Sequence, residues 1–387
     1  MSSLLHQYSL MERVLHGQRA VDALPGEVRR HGSSRAFIVS TASLAQSPRL
    51  REIAEALGPA CAGVYTGVRA HAPRDSVMAG AVAARQAKAD LLIAVGGGSV
   101  IDATKVMLLA LRHGFTYANQ LDVHAGAPWN TQTQRPRDHA HWLRMMAVPT
   151  TFSAAEYTAV GGATEPETKS KQAFGSQMMM PVAVVNDPTM TLTTPLDLLL
   201  ATGMKAVDHA VERLTSNQAN LYSDTVSAVA LSLLSRNLPA LRRDPSSLAV
   251  RGELQYGVFL SMAGIASGAR SNLAHAIAHA MGSLCDVPHG LTSCVLLAPV
   301  LRWVGDAAGG KQRVICETMG REGADAASTV ADLVASLGLP ARLRDVGVRQ
   351  ELLTTIAERT LHDPLTANCA RKVESASQVR ELLEMAW

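Results

Sequence analysis

Aromatic residues are scarce in this chain: Phe, Tyr and Trp make up only 4% of its 387 residues. A core without large rings must be filled by aliphatic side chains, and the abundant Ala and Leu favour helices. Charge of one sign is not in excess either. The formal net charge is +3 and there is no dense Lys/Arg run, so the electrostatic footprint of a nucleic-acid binder is missing. Cysteine is sparse and odd in number. Cys61, Cys285, Cys294, Cys316 and Cys369 include no Cys-x-x-Cys pair and are expected to be reduced thiols, with Cys285 a packing residue. No apolar run is read as reaching membrane-spanning length, and the polar residues among the first 17 do not look like a signal peptide. A cytoplasmic protein is expected, with neither a nucleic acid nor a membrane as partner.

What is present is a well-packed composition, 47% hydrophobic and 18% charged, in a chain long enough for two domains. Short apolar runs at 36–40, 62–65, 91–95, 145–148 and 182–186 read as buried strands. Helical segments are expected at 48–57, at 74–88 and from Ser99 onward. This alternation implies an α/β domain with a parallel sheet covered on both faces. Residues 113–141 read as a long polar loop carrying His124, His139 and His141. Past residue 191 a helical pattern runs almost to the end, so the expected domains are 1–191, α/β and nucleotide-binding, and 192–387, all-helical.

The strand at 91–95 runs into Gly96-Gly97-Gly98-Ser99, with Asp102 and Lys105 on the helix that follows. Glycines between a strand and a helix let the backbone approach a bulky anion, and the helix N-terminus offers free N–H groups. A pyrophosphate seat is the reading, although a plain tight turn capped by Ser99 also fits these glycines. The hydroxyls of Thr150 and Thr151, after the strand at 145–148, suit either a nucleotide or a local turn.

The imidazoles gather in the second half. His275 and His279 are four apart and share a helix face, and His289 follows after a break at Pro288. Lys205 and His209 are likewise four apart on an earlier helix. Asp208, about 100° round the helix from His209, is expected to point elsewhere. Helices that present imidazoles from one face can converge in a bundle core.

With these residues the chain resembles the iron-containing alcohol dehydrogenase superfamily, over nearly its whole length. The resemblance rests on Gly96-Gly97-Gly98-Ser99 with Asp102 and Lys105, Pro149-Thr150-Thr151 with Glu156, Lys171, the segment 203–212, His275-x-x-x-His279, and Pro288-His289-Gly290. It implies an α/β dinucleotide-binding domain, a helical domain, and hydride transfer between nicotinamide and a carbonyl or alcohol. It also implies that Gly96, Gly97, Gly98, Ser99, Asp102, Thr150, Thr151 and Lys171 line the cofactor, with Thr41 after the first strand. The family holds iron or zinc with one Asp and three His. By position the His would be His209, His275 and His289, and His279 would join a proton relay beside the nicotinamide.

The chain departs from the family at one ligand: Lys205 stands where the metal-binding Asp is expected. An ammonium cannot ligate a cation. The maleylacetate reductase branch also lacks that Asp, and the segments 152–158 and 203–207 are similar to it. The leading expectation is therefore an NAD(P)-dependent, maleylacetate reductase-like enzyme, acting on a small molecule as a homodimer, with an altered or absent metal site. Lys205, His209, His275 and His289 would stabilise the developing alkoxide and His279 the proton, with Arg270 a partner for a substrate carboxylate. The alternatives are a metal-dependent (Fe or Zn) alcohol dehydrogenase and a redox-silent nucleotide-binding protein. With Ser40-Thr41 and no acid after the first strand, NAD and NADP both remain open.

Overall fold

The structure, a computed structural model, describes residues 5–126, 141–167, 170–285 and 287–387. The chain forms two compact units, Tyr8–Thr194 and Pro195–Trp387. The N-terminal stretch that ends at Gln7 belongs with the second unit, where the Gln7 N–H donates to Ala266 O at 2.7 Å.

The first unit is an α/β layer structure. In chain order it contains β1 (Arg13–His16), α1 (Ala20–Arg30), β2 (Ala36–Val39), α2 (Ala42–Ala45), α3 (Pro48–Leu57), β3 (Cys61–Tyr65), α4 (Arg74–Gln86), β4 (Leu91–Gly96) and α5 (Gly98–His113). It continues with β5 (Arg144–Pro149), β6 (Val160–Thr164), β7 (Lys171–Gly175) and β8 (Ala183–Asn186). Six strands form a parallel sheet in the order β1-β8-β5-β4-β2-β3. Both faces are buried, as continuous apolar strands require. Leu92 and Ala94 pack with Val77, Ala81 and Met107 of α4 and α5, while Leu91, Ile93 and Val95 pack with Leu24 and Ile53 of α1 and α3.

From β2 the chain runs outward to the edge strand β3, then returns to β4 on the other side of β2. The carboxyl ends of β2 and β4 thus flank a topological switch point, where open α/β sheets bind ligands. The glycine run and Thr41 both lie at these ends.

Several elements of this unit carry no clear signal in the sequence. In β1 only Leu15 is buried, so no apolar run marks it. α1 carries Pro25 in its interior, which argues against a helix by composition alone. The antiparallel hairpin β6–β7 begins Val-Gly-Gly-Ala-Thr, a poor strand former. Its glycines are explained by close approach. A Cβ at Gly161 would lie 2.8 Å from Asp102 O, and one at Gly162 would lie 2.3 Å from Lys171 Cε. The expected loop at 113–141 contains a 3-10 turn, Ala118–His124, in which the His124 ring sits 4.4 Å from that of His113. His139 lies outside the described residues.

The second unit is helical: α6 (Leu196–Leu214), α7 (Leu221–Arg243), α8 (Leu248–Ala263), α9 (Leu273–Cys285), α10 (His289–Val304), α11 (Lys311–Thr318), α12 (Ala326–Ser336), α13 (Leu353–Leu361) and α14 (Ala376–Ala386). α6 packs against α7, α8 and α10, and every residue from Leu199 to Leu214 is buried. Its Lys205, Asp208, His209, Glu212 and Arg213 are therefore inside the protein, where polar groups must find partners. One apolar stretch, His289–Ala308, is long and apolar enough to cross a membrane by length and composition, contrary to the expectation that no run is; 72% of it is buried inside the protein. All five cysteines are free.

Candidate active site

In the α/β unit the chain passes from β4 through Gly97, the N-cap of α5, into a long buried helix. Gly97 and Gly98 lie against the segment after β5. A Cβ at Gly97 would meet Thr151 Cγ2 at 2.9 Å, and one at Gly98 would meet Ser153 Oγ at 3.1 Å. The loop is therefore bare backbone at the start of α5, with the helix dipole behind it. Thr151 Oγ1 and Ser153 Oγ are buried beside it and have no hydrogen-bond partner among the described residues. Two orphaned hydroxyls next to free helix N–H groups fit an anionic ligand. Ser99 Oγ accepts from the His71 N–H at 3.2 Å, and the Thr150 N–H donates to Gly96 O at 3.1 Å. Thr41 caps α2, its Oγ1 accepting from the Leu44 N–H at 3.3 Å.

Lys105 and Asp102 divide their work. The buried Lys105 Nζ donates to Ala155 O (2.6 Å), Thr158 Oγ1 (2.9 Å) and Val160 O (2.9 Å). It ties α5 to the loop and hairpin behind the glycine run. Burial lowers its pKa to about 8 and raises that of the neighbouring Glu156 to about 7. Asp102 faces Lys171, with 3.5 Å between Oδ2 and Nζ.

The helical unit holds the second constellation. Lys205 Nζ lies 2.9 Å from His275 Nε2, and His275 Nδ1 lies 2.5 Å from Glu212 Oε2. The other Glu212 oxygen accepts from the N–H groups of Ala274 (2.9 Å) and His275 (3.2 Å). Glu212 of α6 thus caps the start of α9 and fixes the imidazole that follows. Asn272 Nδ2 donates to Glu212 O at 2.9 Å, locking the same junction. The ring of His209 stacks on that of His275 at 4.9 Å, and the ring of His289 meets His275 edge-on at 5.9 Å. His279 stacks on His289 at 6.2 Å, and its Nδ1 lies 2.7 Å from Asp363 Oδ2.

Asp208 does not point elsewhere. It is buried, accepts from Ser293 Oγ at 2.6 Å, and places Oδ2 3.5 Å from His275 Nδ1. Measured from Lys205 rather than His209, it is three residues on, about 300° round the helix, and Glu212 at seven residues returns nearly to the start. Lys205, Asp208, His209 and Glu212 share one arc of α6. Spacing from Lys205 would have found both carboxylates, whereas Asp363 carries no local signal.

Electrostatically the cluster balances two carboxylates against Lys205 and Arg213. Burial raises Asp208, with Glu212 adding to the effect, and burial likewise raises Glu212. Burial, then His275 and Lys205, hold His209 well below its usual range. Burial and then Lys205 do the same to His275. Both rings are therefore neutral imidazoles near neutral pH. Arg213 is lowered to about 10 by burial and donates to His209 O at 2.7 Å.

A parallel-sheet unit with a bare glycine loop at its switch point, and a helical unit with gathered imidazoles, define a nicotinamide-dependent oxidoreductase of CH–OH and C=O groups. Residues 12–188 match the family model "Iron-containing alcohol dehydrogenase", and residues 199–387 match "Fe-containing alcohol dehydrogenase family, C-terminal". The chain belongs to the iron-containing alcohol dehydrogenase superfamily, in its maleylacetate reductase-like branch. It is 28% identical to a maleylacetate reductase of Pseudomonas aeruginosa, over 93% of this chain and 92% of the other. It is 33% identical to a 1,3-propanediol dehydrogenase of Citrobacter freundii, over 84% and 83%. Among solved structures it is similar to maleylacetate reductase from Agrobacterium tumefaciens, with TM-score 0.83, 26% identity and coverage of 100% and 99%. The family uses NAD(P) and a metal.

Proposed function

We propose that the protein is an NAD(P)H-dependent reductase of small 3-oxo acids of the maleylacetate type, and that the Lys205 ammonium takes the charge role of the family's metal. The observation that carries this is the 2.9 Å contact between Lys205 Nζ and His275 Nε2. A lysine ammonium has three donors and no acceptor. His275 Nε2 therefore accepts from it, and the lone pair that a cation would need is engaged. His275, which with His209 and His289 the family resemblance makes a metal ligand, is held by an internal cation instead. This donor set does not fit a metal at that position.

NAD(P)H, when bound, supplies the hydride. The glycine loop Gly96-Gly97-Gly98 with Ser99 and the hydroxyls of Thr150 and Thr151 hold its phosphates. Asp102, Lys171 and Thr41 would line the rest of the cofactor. Lys205 directs an N–H at the substrate carbonyl oxygen and stabilises the alkoxide as charge develops there. The neutral ring of His209 and the ring of His289 exclude water there. His279 holds the proton. Its Nδ1 is bound to Asp363, so its Nε2 is the exchanging atom, and with 40% of its side chain exposed it can be recharged from water.

One observation favours a metal-dependent dehydrogenase as second reading: donor atoms of Asp208, Glu212 and His275 lie within 4.8 Å of one another. Asp208 Oδ1 and His209 Nδ1 are also buried there with no hydrogen-bond partner among the described residues, but both Glu212 oxygens already accept from α9 and Asp208 Oδ2 accepts from Ser293. Lys205 and Arg213 add positive charge there, which disfavours a further cation.

Replacing Lys205 tests the proposal. Lys205→Met should lower kcat for maleylacetate with NADH or NADPH by about 10²–10³-fold, the loss expected for one oxyanion donor, while cofactor binding measured by fluorescence is kept. Wild-type turnover in this variant would contradict it.

A further inference from the structure

The cluster contains a group whose place is explained neither by substrate contact nor by capping alone. Glu212 has two oxygens, and they do different things. Oε1 accepts from two backbone N–H groups at the start of α9, at 2.9 and 3.2 Å. Oε2 is aimed at a side chain, His275 Nδ1, at 2.5 Å. A helix cap needs only the first of these.

We propose that Glu212 is a positioning residue that locks His275 in the Nδ1–H tautomer, and through it holds the Lys205 ammonium in place. This rests on the role given to Lys205 above.

With Lys205 an ammonium and Glu212 a carboxylate, each hydrogen-bond direction along this relay follows. Lys205 can only donate, so His275 Nε2 must accept. A neutral imidazole that accepts at Nε2 carries its proton at Nδ1, and that N–H then needs an acceptor. Glu212 Oε2 is that acceptor, and Asp208 Oδ2, 3.5 Å from the same Nδ1, adds a second anionic oxygen. With the opposite tautomer an Nε2–H would confront the Lys205 ammonium and an Nδ1 lone pair would confront a carboxylate. Both contacts would be repulsive in a site where His275, Glu212, Asp208 and Lys205 are all buried. In a metal site a carboxylate orients a ligating imidazole in this same way. Here the partner presented at Nε2 is the chain's own ammonium.

Glu212→Gln separates the two jobs of the residue. The amide oxygen can keep accepting from the Ala274 and His275 N–H groups, which leaves the amide NH₂ facing His275 Nδ1. An NH₂ cannot accept, so the ring is driven to the Nε2–H tautomer and Lys205 loses its seat. The ¹⁵N spectrum of histidine-labelled protein, with the His275 signals assigned by difference against a His275→Gln variant, reads the tautomer directly. Wild-type protein should show His275 protonated at Nδ1, and Glu212→Gln should show it protonated at Nε2. With maleylacetate and NADH, kcat in Glu212→Gln should fall about 10–100-fold, the range seen when an orienting carboxylate is removed. KM and NADH affinity should stay within about twofold, since ground-state binding is untouched. An Nε2–H signal in the wild type overturns the proposal even if the variant does not fold. Unchanged kcat in a folded Glu212→Gln overturns it as well. If Lys205→Met keeps its rate while Glu212→Gln loses its own and shifts the tautomer, the tautomer lock stands and the charge role of Lys205 is what fails.

Discussion

Lys205 and Asp208 sit less than a turn apart on α6, and between them they show what a sequence reveals about a buried charge. Lys205 was legible, because an ammonium at an expected ligand position stands out by chemistry alone. Asp208 is not legible from its chain neighbour His209, about 100° away round the helix, but only from Lys205, whose charge it helps to balance. Glu156 is a third case, in the other unit. Its carboxyl is buried, and Oε2 has no hydrogen-bond partner among the described residues. Burial raises its pKa from 4.5 to about 7. Between those values the folded protein keeps a proton that the unfolded chain has released. The associated stability is complete below the unfolded pKa and is lost as pH rises through the folded one. Glu156→Gln should abolish that loss. Relative to wild type, the variant should gain up to about 3 kcal/mol between about pH 5 and about pH 8 in urea denaturation. Parallel pH dependence in the two proteins would contradict a buried, proton-holding Glu156.

At the scale of elements, strands with unbroken apolar runs were legible. β4 and β5 were expected within a residue or so of where they lie, and α3 was expected at its observed bounds, marked by the Ser47 cap and Pro48 at its first turn. The elements that escaped are those in which long-range packing overrides local preference. β1 is held as an edge strand by pairing with β8, and Gly161 of the β6–β7 hairpin packs against Asp102 and Lys105 of α5. The loop between β4 and α5 is legible as a strand–glycine–helix junction, but the side chains that shape its cradle come from the segment after β5. That cradle makes a clean prediction. Gly97 has an ordinary φ of −82°, so Gly97→Ala brings no backbone strain and acts only by placing a methyl group against Thr151. NADH binding measured by fluorescence titration should weaken about tenfold, roughly 1.4 kcal/mol, with the fold unchanged by circular dichroism. Wild-type affinity would mean that the cofactor does not approach this backbone.

At the scale of the molecule, each unit has its own candidate site: a bare glycine loop at the switch point of a parallel sheet, and a charge-balanced imidazole cluster on α6, α9 and α10. The resemblance to the iron-containing alcohol dehydrogenases extends over both units, and it is their metal that Lys205 makes unnecessary in this account. The most direct measurement is the metal content of protein purified without chelators, by inductively coupled plasma mass spectrometry, together with its NADH-dependent reduction of maleylacetate before and after dialysis against EDTA. Iron and zinc far below one equivalent per chain are expected, with a rate unchanged by the chelator. One equivalent of either metal, with activity lost on chelation and restored by adding the metal back, would contradict it.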